Sequence, residues 1–148
     1  ALWLPLASRA DDRAEAARVA GAVFSALTNW DAGSLEAVEA EVADLSTERF
    51  REEARALIGD VAQGLAQAEA RSTGEVLDLA VELHDRAENG RTAAALALVR
   101  QEIENTGLEA PRADCWGARA VLRQVDGRWL VDALELYGPN ACPEGALP

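Results

Sequence analysis

Methionine is absent from this chain of 148 residues, histidine occurs once and cysteine only twice. The missing methionine leads us to expect a start codon, and with it an upstream segment, outside the given sequence. One histidine and two thiols fall short of a structural zinc site's ligand set, so neither metal nor cofactor is expected. No window approaches 18 uncharged apolar residues, so no single helix here is long and apolar enough to cross a bilayer. Basic residues are also scarce: 14 against 26 acidic ones leave a net charge of -12. Such a surface repels phosphate backbones and anionic headgroups, which argues against nucleic acid and against direct membrane binding. Nucleophile-elbow serines, GxGxxG, Walker-type loops and HExxH are all missing.

What is present suits one ordinary domain. Hydrophobic residues make up 49% of the chain, enough to bury a core without staples. Asp11 and Asp12 place negative charge at a helix start, followed by Val19, Val23, Leu27 and Trp30 on one stripe that ends near Asn29. Ser34 is well placed as N-cap of a second helix carrying Leu35, Val38, Val42 and Leu45. Ser46 and Thr47 offer the next cap, and Phe50, Ala54, Leu57, Val61 and Leu65 mark a third helix. Gly59 and Gly64 within it read as points where a neighbouring element comes close.

From Thr73 the period changes from helical to alternating. Leu77, Leu79, Val81 and Leu83 fall on one face, opposed to Asp78, Glu82, His84 and Arg86. A turn centred on Asn89-Gly90 sets Leu83 against Leu96 and Val81 against Leu98, with a bulge or bend expected beyond Val99. After a loop around Pro111, Asp126-Gly127 is a type I′ hairpin signal. It pairs Trp116 with Tyr137, Leu122 with Val131 and Gln124 with Trp129. The predicted fold class is α+β: three N-terminal helices packed on a curved four-stranded antiparallel sheet, since helices first and strands last segregate into layers. Residues 1–10 read as an N-terminal arm or the stub of a removed membrane helix, 11–138 as a cone domain and 139–148 as a tail.

The second hairpin places Cys115 opposite Gly138, four residues from Cys142, so a tail that folds back brings the two sulfurs into disulfide range. Two unconnected thiols are the alternative. The disulfide is the favoured reading and implies an oxidising, extracytoplasmic compartment.

An apolar throat lined by Leu77, Leu79, Val81, Leu83, Leu96 and Leu98 is the candidate site for a hydrophobic ligand, against the commoner outcome of a cone filled by its own helices. No residue is assigned a catalytic role. His84 shares its face with charged residues, which marks a solvated surface histidine. Asp132 lies near Arg119 and Arg123, and a cation lowers a carboxylate's pKa, which suits a base poorly. Glu135 and Tyr137 form the best remaining acid and phenol pair, against the plainer reading of a strand end leaving the core. Trp30 and Trp129 read as core, and Trp3 and Trp116 as candidates for a contact surface.

Several strings carry a family resemblance. They are Ala26-Leu27-Thr28-Asn29-Trp30-Asp31, Leu45-Ser46-Thr47-Glu48-Arg49-Phe50, Ser72-Thr73-Gly74-Glu75-Val76 and Val121 through Val131 around Asp126-Gly127-Arg128-Trp129. In this order, over roughly residues 12–137, the chain resembles the nuclear transport factor 2-like cone fold, which ketosteroid isomerases and SnoaL-like cyclases share. Within that fold it is similar to the Mce-associated proteins of actinobacteria. That resemblance implies a non-catalytic, extracytoplasmic accessory domain, anchored by an upstream transmembrane helix, whose partners are protein subunits of a lipid- or sterol-import complex. A homo-oligomer is left open. The cysteine pair and the lack of a membrane helix depart from the family pattern. Two alternatives stand beside it: a small-molecule enzyme of the SnoaL or ketosteroid isomerase type, and a periplasmic assembly module of a conjugative secretion system.

Overall fold

The helical stripe around Val19 and Val23 forms the backbone of the molecule, because it is the surface on which the sheet closes. The computed structural model describes residues 4–86 and 90–142; Trp3, Asn89, residues 143–148 and the surroundings of Gly64, Leu65 and Arg86 fall outside that description. Three helices, α1 (Leu4–Thr28), α2 (Leu35–Asp44) and α3 (Glu48–Ala68), precede four strands, β1 (Arg71–Arg86), β2 (Gly90–Glu104), β3 (Arg112–Val125) and β4 (Arg128–Asn140). The sheet is a purely antiparallel meander in the order β1-β2-β3-β4. This is the α+β architecture that the segregated pattern predicts.

Helix α1 begins at Leu4, ahead of the Asp11-Asp12 start expected from charge, so Asp12 sits inside a helix. Ser34 stands at the N-cap position of α2, yet its side chain makes no capping bond. Its hydroxyl instead accepts from the Asp31 amide at 2.9 Å, which closes the turn behind it. Thr47 does cap α3, accepting from the Phe50 amide at 3.3 Å. On α3 the buried stripe is Phe50, Ala54 and Ile58, while Leu57, expected in the core, is 41% exposed. Gly59 does not mark a close approach, since a Cβ there would meet nothing within 4 Å.

The second hairpin turns as read: Asp126 and Gly127 both hold positive φ, at 50° and 79°, which Gly accepts freely and Asp at small cost. Leu122 pairs with Val131 and Gln124 with Trp129. Beyond that the register slips at Asp132, so Tyr137 faces Gly117 rather than Trp116, and a further shift between Cys115 and Gly117 sets Cys115 against Asn140 rather than Gly138. The first hairpin differs more. Leu83 pairs with Ala93 and Val81 with Ala95, not with Leu96 and Leu98. An odd shift moves a whole strand's side chains to the other face. Ala93, Ala95, Val99 and Gln101 therefore point inward, and Leu96 is 55% exposed on the outer face. The physical reason is space: Ala95, Ala118 and Ala120 floor the middle of the sheet, which lets α1 lie close, and leucines there would hold it off. The irregularity expected near Val99 falls on the partner strand, where the register breaks between Val76 and Asp78.

Inward-facing rows run across all four strands. The row Leu83, Ala93, Leu122 and Val131 lies nearest the two hairpin turns, with Leu122 and Val131 fully buried against the helices. Full burial of a leucine contributes roughly 2 to 3 kcal/mol.

Candidate binding cavity

Two short bridges hold the helical layer to the edges of the sheet. At the β1 edge, Trp30 and Ser72 exchange backbone hydrogen bonds of 3.1 and 2.8 Å. The Asn29 side chain bonds the backbone of Gly74 both ways, at 3.0 Å each. A Cβ at position 74 would lie 2.1 Å from the Thr28 hydroxyl, so this contact admits only glycine. At the β4 edge, Thr47 donates to the Val131 carbonyl at 2.9 Å and Val131 donates to that of Leu45 at 2.8 Å. Asp132, displaced by the slip in register, accepts from Thr47 at 2.8 Å and pairs with Arg49 at 3.2 Å. The Asp132 cation is thus Arg49, not Arg119 or Arg123. The quoted strings around Asn29-Trp30, Ser72-Gly74, Ser46-Arg49 and Val131 are therefore each other's partners.

The end of the cone nearest the hairpin turns is filled. Asp12 is its polar hub: one carboxylate oxygen accepts from the Trp129 indole at 3.2 Å, and the other pairs with Arg91. Sequence reasoning missed this role, since a helix start at Asp11 leaves Asp12 outside the packed layer.

The opposite end is hollow. A cavity of about 160 Å³ opens between the last turns of α1, the first turn of α2, the middle of α3 and the ends of β2, β3 and β4. Phe24, Trp30, Ile58, Val99, Trp116 and Ala118 form its walls, and Leu57 and Leu136, 41% and 48% exposed, its lip. Among the described residues, none of its lining side chains is a carboxylate or a histidine. Its polar groups are tied into one ladder. Trp116 donates to the Gln101 oxygen at 3.0 Å, Gln101 donates to the Ser72 hydroxyl at 2.8 Å, and Ser72 donates to the Thr28 carbonyl at 2.6 Å. Buried polar atoms that satisfy one another leave the walls chemically apolar.

This cavity differs from the throat read in the sequence. Leu79, Val81 and Leu83 pack against the core beneath α1, Leu77 occupies the break in register, and Leu96 and Leu98 belong to the outward row of β2. None of the six lines the cavity. Trp116, read as a contact residue, and Trp30, read as core, both line it. Trp129 is core, at 2% exposure. His84 stands 4.0 Å from Glu82, half-exposed. Tyr137 donates to Glu135 and Arg119 lies 4.0 Å from that carboxylate, all at the surface. The Glu135 carboxylate holds the Tyr137 phenol above its ordinary pKa, because ionisation would lose the bond and set two anions together. The slip at Asp132 puts this pair on the face opposite Trp129. Cys115 and Cys142 form a disulfide, which ties the end of the sheet beside the cavity.

No protein-family profile and no curated protein matches the chain. Solved structures do. An IcmL-like type IV secretion system protein from Legionella pneumophila superposes with a TM-score of 0.68 at 13% identity, over 88% of this chain and 95% of that one. CagV, a VirB8 homolog of the Helicobacter pylori type IV secretion system, gives 0.67 at 9% identity, over 86% and 99%. The VirB8 protein of Agrobacterium tumefaciens gives 0.61 at 12% identity, over 85% and 92%. At such identities the likeness establishes a shared fold alone, the α+β arrangement of three helices on a four-stranded antiparallel sheet.

Proposed function

We propose that this chain is a non-catalytic, extracytoplasmic assembly module, of the kind that secretion and conjugation machines place outside the inner membrane. The observation that carries the reading is the extent of the structural match: the likeness runs over nearly the whole of each of those secretion-system chains, not over a shared fragment. A periplasmic fragment of TraM is also similar to this chain, with a TM-score of 0.61 at 8% identity, which supports an extracytoplasmic place for it. The disulfide supports an oxidising location. The cavity supports binding over chemistry, since its walls offer no acid or base to a substrate. The lipid-import association implied by the sequence resemblance gains no support from the comparisons, and the assembly role replaces it as the preferred reading.

Site-specific photo-crosslinking from the helical layer in the source cells, followed by co-purification, tests the proposal. Recovery of the oxidised chain with envelope subunits of a secretion machine is the expected result. Recovery of a reduced, unassociated chain from the cytoplasm would overturn it.

A further inference from the structure

Size is the first constraint on what the hollow end of the cone receives. Its volume of about 160 Å³ is close to the roughly 150 Å³ cavity known to hold a benzene molecule, and below the roughly 300 to 1,000 Å³ typical of sites for drug-sized ligands. A sterol or a two-chain lipid does not fit, whereas one aromatic ring system does. Chemistry is the second constraint. The hydrogen-bonding groups of Gln101, Ser72 and Trp116 are engaged with one another, so the interior meets an occupant with apolar and aromatic surface alone. Phe24, Trp30 and Trp116 supply three ring walls suited to offset or edge-to-face packing.

The surroundings of the mouth set the third constraint. Glu53 and Asp60 stand four residues before and three after the lip residue Leu57, on the same side of α3, and both are exposed. Asp31 follows Trp30 and Glu36 follows Leu35, again exposed. Arg55, the nearest cation on α3, is bound to Glu39 at 3.0 Å. An apolar socket with exposed carboxylates beside its lining residues matches an apolar knob flanked by cations.

We infer that the cavity is an anchor socket for a single aromatic side chain, presented by a lysine- and arginine-rich segment of a partner protein. This deepens the assembly reading and rests on it: buried aromatic anchors surrounded by weaker polar contacts are the usual energetic centre of a protein interface. Charge steers the encounter, and the ring burial holds it.

The test uses the whole oxidised chain and three fluorescein-labelled peptides: a lysine-flanked peptide with one central Trp, the same peptide with Ala in its place, and a glutamate-flanked Trp peptide. Fluorescence anisotropy should show the first binding at least about tenfold tighter than either of the others, with an affinity that falls as salt rises. Leu57→Glu, at an exposed position that leaves the fold intact, should remove the preference for Trp. Ala118→Leu, which fills the floor of the cavity at some cost in melting temperature, should do the same while circular dichroism shows the chain still folded. Equal binding of the Trp and Ala peptides overturns the socket, as does a preference that survives both substitutions. Tighter binding of oleate or phosphatidylcholine vesicles that displaces the Trp peptide would overturn it in favour of a lipid site. Failure of the peptides while the chain still co-purifies with envelope subunits sinks the socket alone. Loss of that co-purification with peptide discrimination intact sinks the assembly reading alone.

Discussion

The two ends of the cone are built from the same strands yet are opposite in character. Near the hairpin turns, Leu122 and Val131 sit fully buried under the helical layer, and the Asp12 carboxylate joins α1 to β2 and β4. At the far end the two central strands, β2 and β3, carry Val99, Ala118 and Trp116, and a cavity opens above them. One end is packed to hold the fold, and the other is held open by what surrounds it. The Trp30–Ser72 backbone pair, the Asn29 contact with Gly74 and a disulfide brace the helical layer and the end of the sheet around the hollow. A hollow kept by bracing is a better candidate for function than one left by poor packing.

The sharpest way to break this contrast is to hollow the packed end. Leu122→Ala removes a side chain that has no exposed surface, and should cost about 4 kcal/mol in urea unfolding. Leu136→Ala, at the half-exposed lip of the open end, should cost less than about 1 kcal/mol by the same measurement. Comparable losses would mean that the two ends do not differ as described.

Bracing of the open end is tested through its disulfide, which closes a sequence separation of 27 residues. Cys142→Ser should lower stability by roughly 3 kcal/mol, through the freedom it returns to the unfolded chain. Hydrogen exchange should quicken at the ends of β3 and β4 and remain slow around Leu122. Uniform quickening would deny that the ends are separately held.

Next in size is the polar hub of the packed end. Asp12→Ala removes the acceptor of the Trp129 indole and one carboxylate from Arg91, and should cost about 2 kcal/mol. Asp12→Asn keeps an acceptor for the indole and should cost about half as much. Equal losses for the two would place the whole effect in the charge.

The fold was largely legible in the sequence, and the cavity was not, for identifiable reasons. Helix stripes and the Asp126-Gly127 turn are local signals, carried by spacing and by tolerance of positive φ. Strand β2 defeats such reading, because Ala93, Ala95 and Val99 on one face are nearly as apolar as Leu96 and Leu98 on the other. Hydropathy favours the leucines, but the approach of α1 favours the alanines. The slips at Leu77 and Asp132 carry no glycine or proline to announce them, and each reverses the faces beyond it. A cavity bounded by three helices and three strands depends on all of these at once. The motif strings were informative in a different way, marking the contacts that join the helical layer to the two edges of the sheet.

The smallest expected effect concerns the outer face of that end, where Tyr137 is the only tyrosine in the chain and can be titrated alone by its ultraviolet absorbance. Its phenol donates to Glu135, and this bond holds the phenol above its ordinary value near 10, with Arg119 pulling weakly the other way. A group whose pKa is raised by folding adds stability that is complete below its unfolded value and is lost as pH rises through the folded one. The native midpoint should therefore lie above that of the urea-unfolded chain. Glu135→Gln should lower it, while stability at neutral pH changes little because both side chains are exposed. A midpoint unmoved by Glu135→Gln would show that the pair does not persist in solution, and that the outer face at this end is as loosely held as the packed end is firmly so.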